Sequence, residues 1–114
     1  MIIQTMDEQE EIISKVVLTG KEKKYLRGLG HHLNAKAHVG REGLTPAVLK
    51  STRTVLEVHE LVKVKLGQNC PIGKKEAAEQ LARETESALV QLIGRTVILY
   101  RPNKDLPKDQ RITL

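Results

Sequence analysis

The sequence contains no tryptophan, no phenylalanine and only two tyrosines among 114 residues. Its core must therefore be aliphatic, and the aromatic platform with which some domains stack RNA bases is excluded. One cysteine, Cys70, cannot form an intramolecular disulfide and fits a reducing compartment, so the cytoplasm is the expected location. No apolar run is long enough to span a membrane, and no membrane partner is expected. The first residues are acidic and carry no long apolar run, unlike a secretory signal. A chain of this length reads as one domain that can bury roughly 65% of its unfolded surface.

Charge is unevenly spread. Residues 1–14 hold Asp7, Glu8, Glu10 and Glu11 and no lysine or arginine, whereas the remaining chain holds all 19 basic residues against 10 acidic ones. A compact basic domain points towards polyanions. Residues 1–16 are read as a flexible or partly helical acidic extension, 17–102 as the folded domain and 103–114 as an extended tail.

The stretch Val39-Gly40-Arg41-Glu42-Gly43-Leu44-Thr45-Pro46 organises the rest. It reads as a strand end, a tight loop bounded by glycines and a capped helix start. Gly40 and Gly43 permit a sharp turn and close approach of a ligand to the backbone. Thr45 suits the N-cap and Pro46 the first helical position. Free amides at a helix start attract phosphate, and Arg41 adds a full positive charge. Glu42 either weakens that contact or caps the following helix.

Before this loop, Thr19 and Glu22 form a capping-box signature for a helix from about Gly20 to His32. Tyr25, Leu26 and Leu29 share one arc; Lys21, Lys23, Lys24 and Arg27 share the opposite arc. Ala35 to Val39 is expected as a strand. A second helix over Pro46–His59 carries an apolar stripe of Val48, Leu49, Thr52, Val55, Leu56 and His59. Leu61–Leu66 alternates as a strand, with Val62, Val64 and Leu66 on one face and Leu61, Lys63 and Lys65 on the other. A third helix follows from about Gly73 to Thr85. Leu89–Ile93 and Thr96–Arg101 are strands joined by Gly94-Arg95, a pair suited to a type II′ hairpin. Tyr100, on that hairpin, is read as core.

The order α-β-α-β-α-β-β implies an α/β domain with a four-stranded mixed sheet and helices packed on it. Strands joined through helices pair in parallel, with right-handed crossovers; the hairpin is antiparallel. No catalytic or metal-binding spacing occurs: His31, His32, His38, His59 and Cys70 match no ligand motif, and the glycine loop lacks the Lys-Ser/Thr pair of a nucleotide-binding loop. No cofactor, small-molecule substrate or enzymatic activity is expected.

Several segments together resemble the CRM domain, in particular the small single-domain bacterial YhbY-like proteins. They are Leu26-Arg27-Gly28-Leu29-Gly30-His31, Val39-Gly40-Arg41-Glu42-Gly43-Leu44-Thr45, Glu60-Leu61-Val62-Lys63-Val64-Lys65 and Leu99-Tyr100-Arg101-Pro102. The resemblance implies a fold similar to the C-terminal domain of bacterial translation initiation factor three. It implies binding of structured RNA, with precursors of the large ribosomal subunit as partner. It places RNA contact on the G-x-x-G loop, here Gly40, Arg41, Glu42 and Gly43, and on the first helix, here Lys21, Lys24 and Arg27. Family members often have glycine near Glu86-Ser87; its absence leaves the end of the third helix open. Without stacking aromatics, recognition should rest on phosphates, 2′-hydroxyls and RNA shape. A monomer is expected. The competing reading is a protein-interaction adaptor that docks through its acidic segment or an exposed strand.

Overall fold

A computed structural model of the chain describes residues 16–114. The acidic extension expected over residues 1–16 therefore lies, apart from Val16, outside the described residues. The elements are α1 (Gly20–Gly30), β1 (Ala37–Val39), α2 (Pro46–His59), β2 (Leu61–Leu66), α3 (Lys74–Glu84), β3 (Ala88–Ile93) and β4 (Thr96–Tyr100). The strands form one mixed sheet in the order β1-β2-β4-β3. β1 runs parallel to β2, and β4 is antiparallel to both β2 and β3.

Local signals account for most element ends. Thr19 and Glu22 close a reciprocal capping box, with Oε1 of Glu22 accepting from the Thr19 amide at 2.9 Å and Oγ1 of Thr19 accepting from the Glu22 amide at 3.1 Å. Thr45 caps α2 by accepting from the Val48 amide at 3.1 Å, and Pro46 opens the helix. At the hairpin φ is positive at Gly94 and not at Arg95, the sign pattern of a type II′ turn. α3 ends without glycine. Glu86 takes φ of +54°, its amide donates to the Arg83 carbonyl, and the Ser87 amide reaches back to Ala82 at 2.9 Å. This is a Schellman closure with glutamate in the left-handed position.

The sheet is covered on both faces. α2 and α3 pack Leu56, Ala77, Ala78, Leu81 and Ala82 against Val62, Val64, Leu66, Val97 and Leu99. On the other face α1 packs Leu26 against Leu61, Val90, Ile98 and Tyr100, a smaller core joined by Val16, Leu18, Leu29 and Ile112. Gly30 lets α1 lie close to the sheet, since a Cβ there would meet Ile98 Cδ1 at 2.5 Å. A bulge between Leu89 and Gln91 turns Val90 inward under α1.

Four expectations change. The first helix ends at Gly30 rather than His32, because His31 is already the cap. Tyr25 is half exposed, since α1 presents Leu26 and Gly30 to the sheet instead. His59 is exposed; the apolar stripe of α2 stops at Leu56, where the helix leaves the sheet. The tail is not simply extended. It carries a single 3-10 turn, Lys108–Gln110, and returns to the body of the domain.

Glu60 makes that return possible. It sits in the left-handed region at φ of +63° and is fully buried. Its carbonyl accepts from the Arg101 amide at 2.8 Å. Its carboxylate accepts from the Asn103 amide at 2.6 Å and the Ile112 amide at 2.6 Å, with Arg111 Nε at 3.7 Å completing an ion pair. The Glu60 charge beside Tyr100 adds to burial, the larger cause, in raising the tyrosine hydroxyl's pKa. Removing a buried charge strands its partners, a cost of several kcal/mol. Glu60→Ala should lower stability by about 3 kcal/mol, and Glu60→Gln by about 2 kcal/mol, because an amide NH₂ would then face a backbone donor. Urea unfolding reads both values. Faster hydrogen exchange at Asn103 and Ile112 should accompany them; unchanged stability would mean that the tail rests on other contacts.

Candidate nucleic-acid interface

The C-terminal ends of β1 and β2, the β3–β4 hairpin and the starts of α2 and α3 meet at one end of the sheet. The G-x-x-G loop stands there. The Gly43 amide donates to the Gly40 carbonyl at 3.0 Å, which closes a turn with Arg41 and Glu42 at its tip. Gly43 has φ of +75°, and a Cβ on it would lie 3.4 Å from Pro71 Cγ. Its glycine is thus required by the turn itself. Gly40 is different. Its φ lies outside the left-handed region, and a Cβ there would meet nothing within 4 Å. The fold has no use for a glycine at this exposed position.

Arg41 and Glu42 are exposed, and their amides find no acceptor among the described residues. Glu42 does not cap α2; Thr45 does. The start of α2 also offers less to an anion than its sequence suggests. Pro46 has no donor and the Val48 amide is taken by Thr45, so only Ala47 remains in the first turn. Positive potential at this end must come mainly from side chains. One of them escaped the sequence reading. Arg95, at the hairpin tip, donates from Nη1 to the Gly67 carbonyl at 3.1 Å, and the Gly67 amide donates to the Val39 carbonyl at 2.7 Å. Arg95 is thereby tied to the strand end from which the glycine loop springs. Only the sheet register, pairing Thr96 with Lys65, brings it there.

The first helix holds the other expected residues. Lys21 and Lys24 are exposed and Arg27 is partly buried. Gly28 shares their side of α1 and is also exposed, and a Cβ added to it would meet nothing within 4 Å. Inside a helix such a glycine costs about 1 kcal/mol relative to alanine, and no neighbour in the fold demands it. The structure does not seat this helix beside the loop. α1 packs mainly on β2, β3 and β4, whereas the loop follows β1 at the sheet edge. Lys21 lines a shallow cleft with Glu22, Tyr25, Thr113 and Leu114, at the end of α1 remote from the sheet's loop-bearing end.

Tyr100 is buried in the smaller core and unavailable for stacking. Cys70 is partly buried beside the larger core. Among the described residues no three histidine, cysteine, aspartate or glutamate side chains are grouped so as to hold a metal ion. No described helix is long and apolar enough to cross a membrane.

Comparison with known proteins places this geometry. Residues 18–101 match the family model of the CRS1 / YhbY (CRM) domain. The chain is 42% identical over 89 residues to the Probable RNA-binding protein YqeI of Bacillus subtilis, covering 78% of this chain and 93% of that one. It is 41% identical over 88 residues to an RNA-binding protein of Haemophilus influenzae, covering 77% and 89% of the two chains. The solution structure of a hypothetical protein from Staphylococcus aureus, 40% identical, superposes with a TM-score of 0.70 over 81% of this chain and 96% of that chain. With its family match spanning both cores, the glycine loop and α1, this chain belongs to the CRS1 / YhbY (CRM) domain family.

Proposed function

We propose that this protein binds structured RNA through the Gly40–Gly43 loop and the outer side of α1, and that it does so as a monomer in the cytoplasm during assembly of the large ribosomal subunit. The observation that carries the RNA contact is Gly40. It is a glycine that neither turn geometry nor internal packing requires, next to an exposed arginine and two free amides. A missing Cβ at such a point serves a ligand that must come close to the backbone, and sugar-phosphate fits the charge. Gly28 makes the same case on α1, flanked in space by Lys21, Lys24 and Arg27. The names of the relatives support RNA as the ligand class. The family resemblance supports the large subunit as the setting.

With Tyr25 the one tyrosine exposed and no phenylalanine or tryptophan in the chain, there is no multi-ring stacking platform, which favours folded RNA over a flexible single strand. Binding then rests on cations and backbone amides, which position the RNA without reading its sequence. A domain that only binds acts by biasing how the RNA folds.

The two exposed glycines separate function from stability. Gly28→Ala should raise stability by roughly 0.8 kcal/mol and Gly40→Ala should leave it nearly unchanged. Both should weaken binding to ribosomal RNA, Gly40→Ala by about tenfold, or about 1.4 kcal/mol. Thermal unfolding and filter binding on the same preparations test this, and full affinity in both variants would remove the basis of the proposal.

Salt reports the number of phosphates. With about 4–6 neutralised, log K should fall against log salt with a slope of roughly −3 to −5. Arg41→Glu should lower affinity at low salt without unfolding the protein, and alanine at Lys21, Lys24 and Arg27 together should flatten the slope. A salt-independent affinity would exclude a phosphate-based interface.

In cells the protein should sediment with precursors of the large subunit and be depleted from translating ribosomes. Its deletion should slow assembly rather than stop it. A gradient at low salt that leaves the protein wholly in the free fraction, with normal subunit ratios in the deletion strain, would rule out the ribosomal role.

A further inference from the structure

The two proposed contact regions stand apart, and the surface between them is basic. On the α1 side of the sheet, Leu61, Lys63 and Lys65 alternate onto one face of β2. Lys65 pairs with His38 across β1 and with Thr96 across β4, which puts those side chains on the same face. α1 covers only part of this face. It buries Leu61, Ile98 and Tyr100 and ends at Gly30, above Ile98. Leu29 and Leu33, at and just beyond its last turn, line a cleft with Lys36 and Lys63. Further towards the glycine loop, Lys36, His38 and Lys65 are exposed and Lys63 is partly exposed.

Among the described residues nothing neutralises these side chains. None of the four makes an ion pair or a side-chain hydrogen bond with a described residue. No aspartate or glutamate occurs in any of the four strands. Lys63 and Lys65, two positions apart on one strand, have their Cα atoms about 6.6 Å apart along it. His38 is two residues from Gly40, so the strip runs directly into the loop. Exposed His31 and His32 follow the last turn of α1.

We propose that Lys36, His38, Lys63 and Lys65 form the floor of the RNA site, a continuous phosphate-binding strip that joins α1 to the glycine loop. This rests on the RNA-binding reading above and extends it to a face that neither the G-x-x-G motif nor the helix charge pattern includes. The floor has no tyrosine, phenylalanine or tryptophan, and the single imidazole of His38 is no stacking platform, so it holds the sugar-phosphate backbone of a folded RNA and leaves the bases paired. One ligand then touches both outlying regions because the strip carries it from one to the other.

The test compares Lys63→Ala/Lys65→Ala with Lys104→Ala/Lys108→Ala, a pair on the exposed tail that removes the same charge. The probe is a labelled RNA stem-loop, titrated over a range of salt by fluorescence anisotropy, with Gly40→Ala and the unaltered protein alongside. The floor pair should lose about tenfold in affinity and its salt slope should become shallower by about 2, near 0.9 for each duplex phosphate released. The tail pair should keep the unaltered slope, and circular dichroism should show both pairs folded. If Gly40→Ala weakens binding but the floor pair behaves like the tail pair, the floor is refuted and the loop reading stands. If the unaltered protein shows no salt-dependent binding, both are refuted.

Discussion

One buried carboxylate ties the end of α2, the start of β2, the end of β4 and the returning tail to one another. Glu60 ends α2, begins β2 one residue later, receives the backbone of β4 through Arg101 and fastens the returning tail through Asn103 and Ile112. A small core of five buried residues lies under α1, against twelve on the other face. Ile112 packs on that smaller core, so the carboxylate governs how well it is closed. Burying a charge is unfavourable unless donors surround it. Here two backbone amides and a guanidinium do so, and the left-handed backbone at Glu60 turns the chain from helix to strand without a loop.

The charged surface is what the two cores leave over. α1 is short and its contact residues lie at Leu26 and Gly30, so it shields one end of its face and leaves Lys65 and His38 to solvent. Some glycines serve the fold and others do not. Gly43 bends the loop and Gly30 admits Ile98, whereas Gly40 and Gly28 face open space. The second pair is what the proposed RNA contact rests on. Arg95 has a mixed part, buttressing the Gly67 loop while adding charge beside Gly40.

Features carried by neighbouring residues were legible in the sequence. α2 and β2 run over the expected residues, because Thr45-Pro46 and the Val62-Val64-Leu66 alternation are local statements. The mixed four-stranded sheet followed from element order. Tyr25 and His59 were misplaced because a helical wheel shows which residues share a side, not how far that side stays in contact. The tail escaped for a similar reason: its partner Glu60 is 43 residues from Asn103 and 52 from Ile112. The glycine loop was visible as a motif. The lysines of β2 were visible only as alternation, since their exposure depends on where α1 stops. Nothing in the spacing of Arg95 ties it to Gly67.

The bulge at Val90 also bears on whether a second copy can pair with the sheet. β3 is an edge strand, and among the described residues nothing pairs with its outer side. Its sequence, Ala88-Leu89-Val90-Gln91-Leu92-Ile93, has neither charge nor proline, the usual deterrents to edge-to-edge association. Ile93 is 56% exposed at its end. The irregular register at Val90 is the remaining guard, because it twists the edge and breaks the run of donors and acceptors that a second copy would need. The residue that fills the core beneath α1 therefore also polices the sheet's open border, and a straightened β3 would invite a neighbouring chain to extend the sheet.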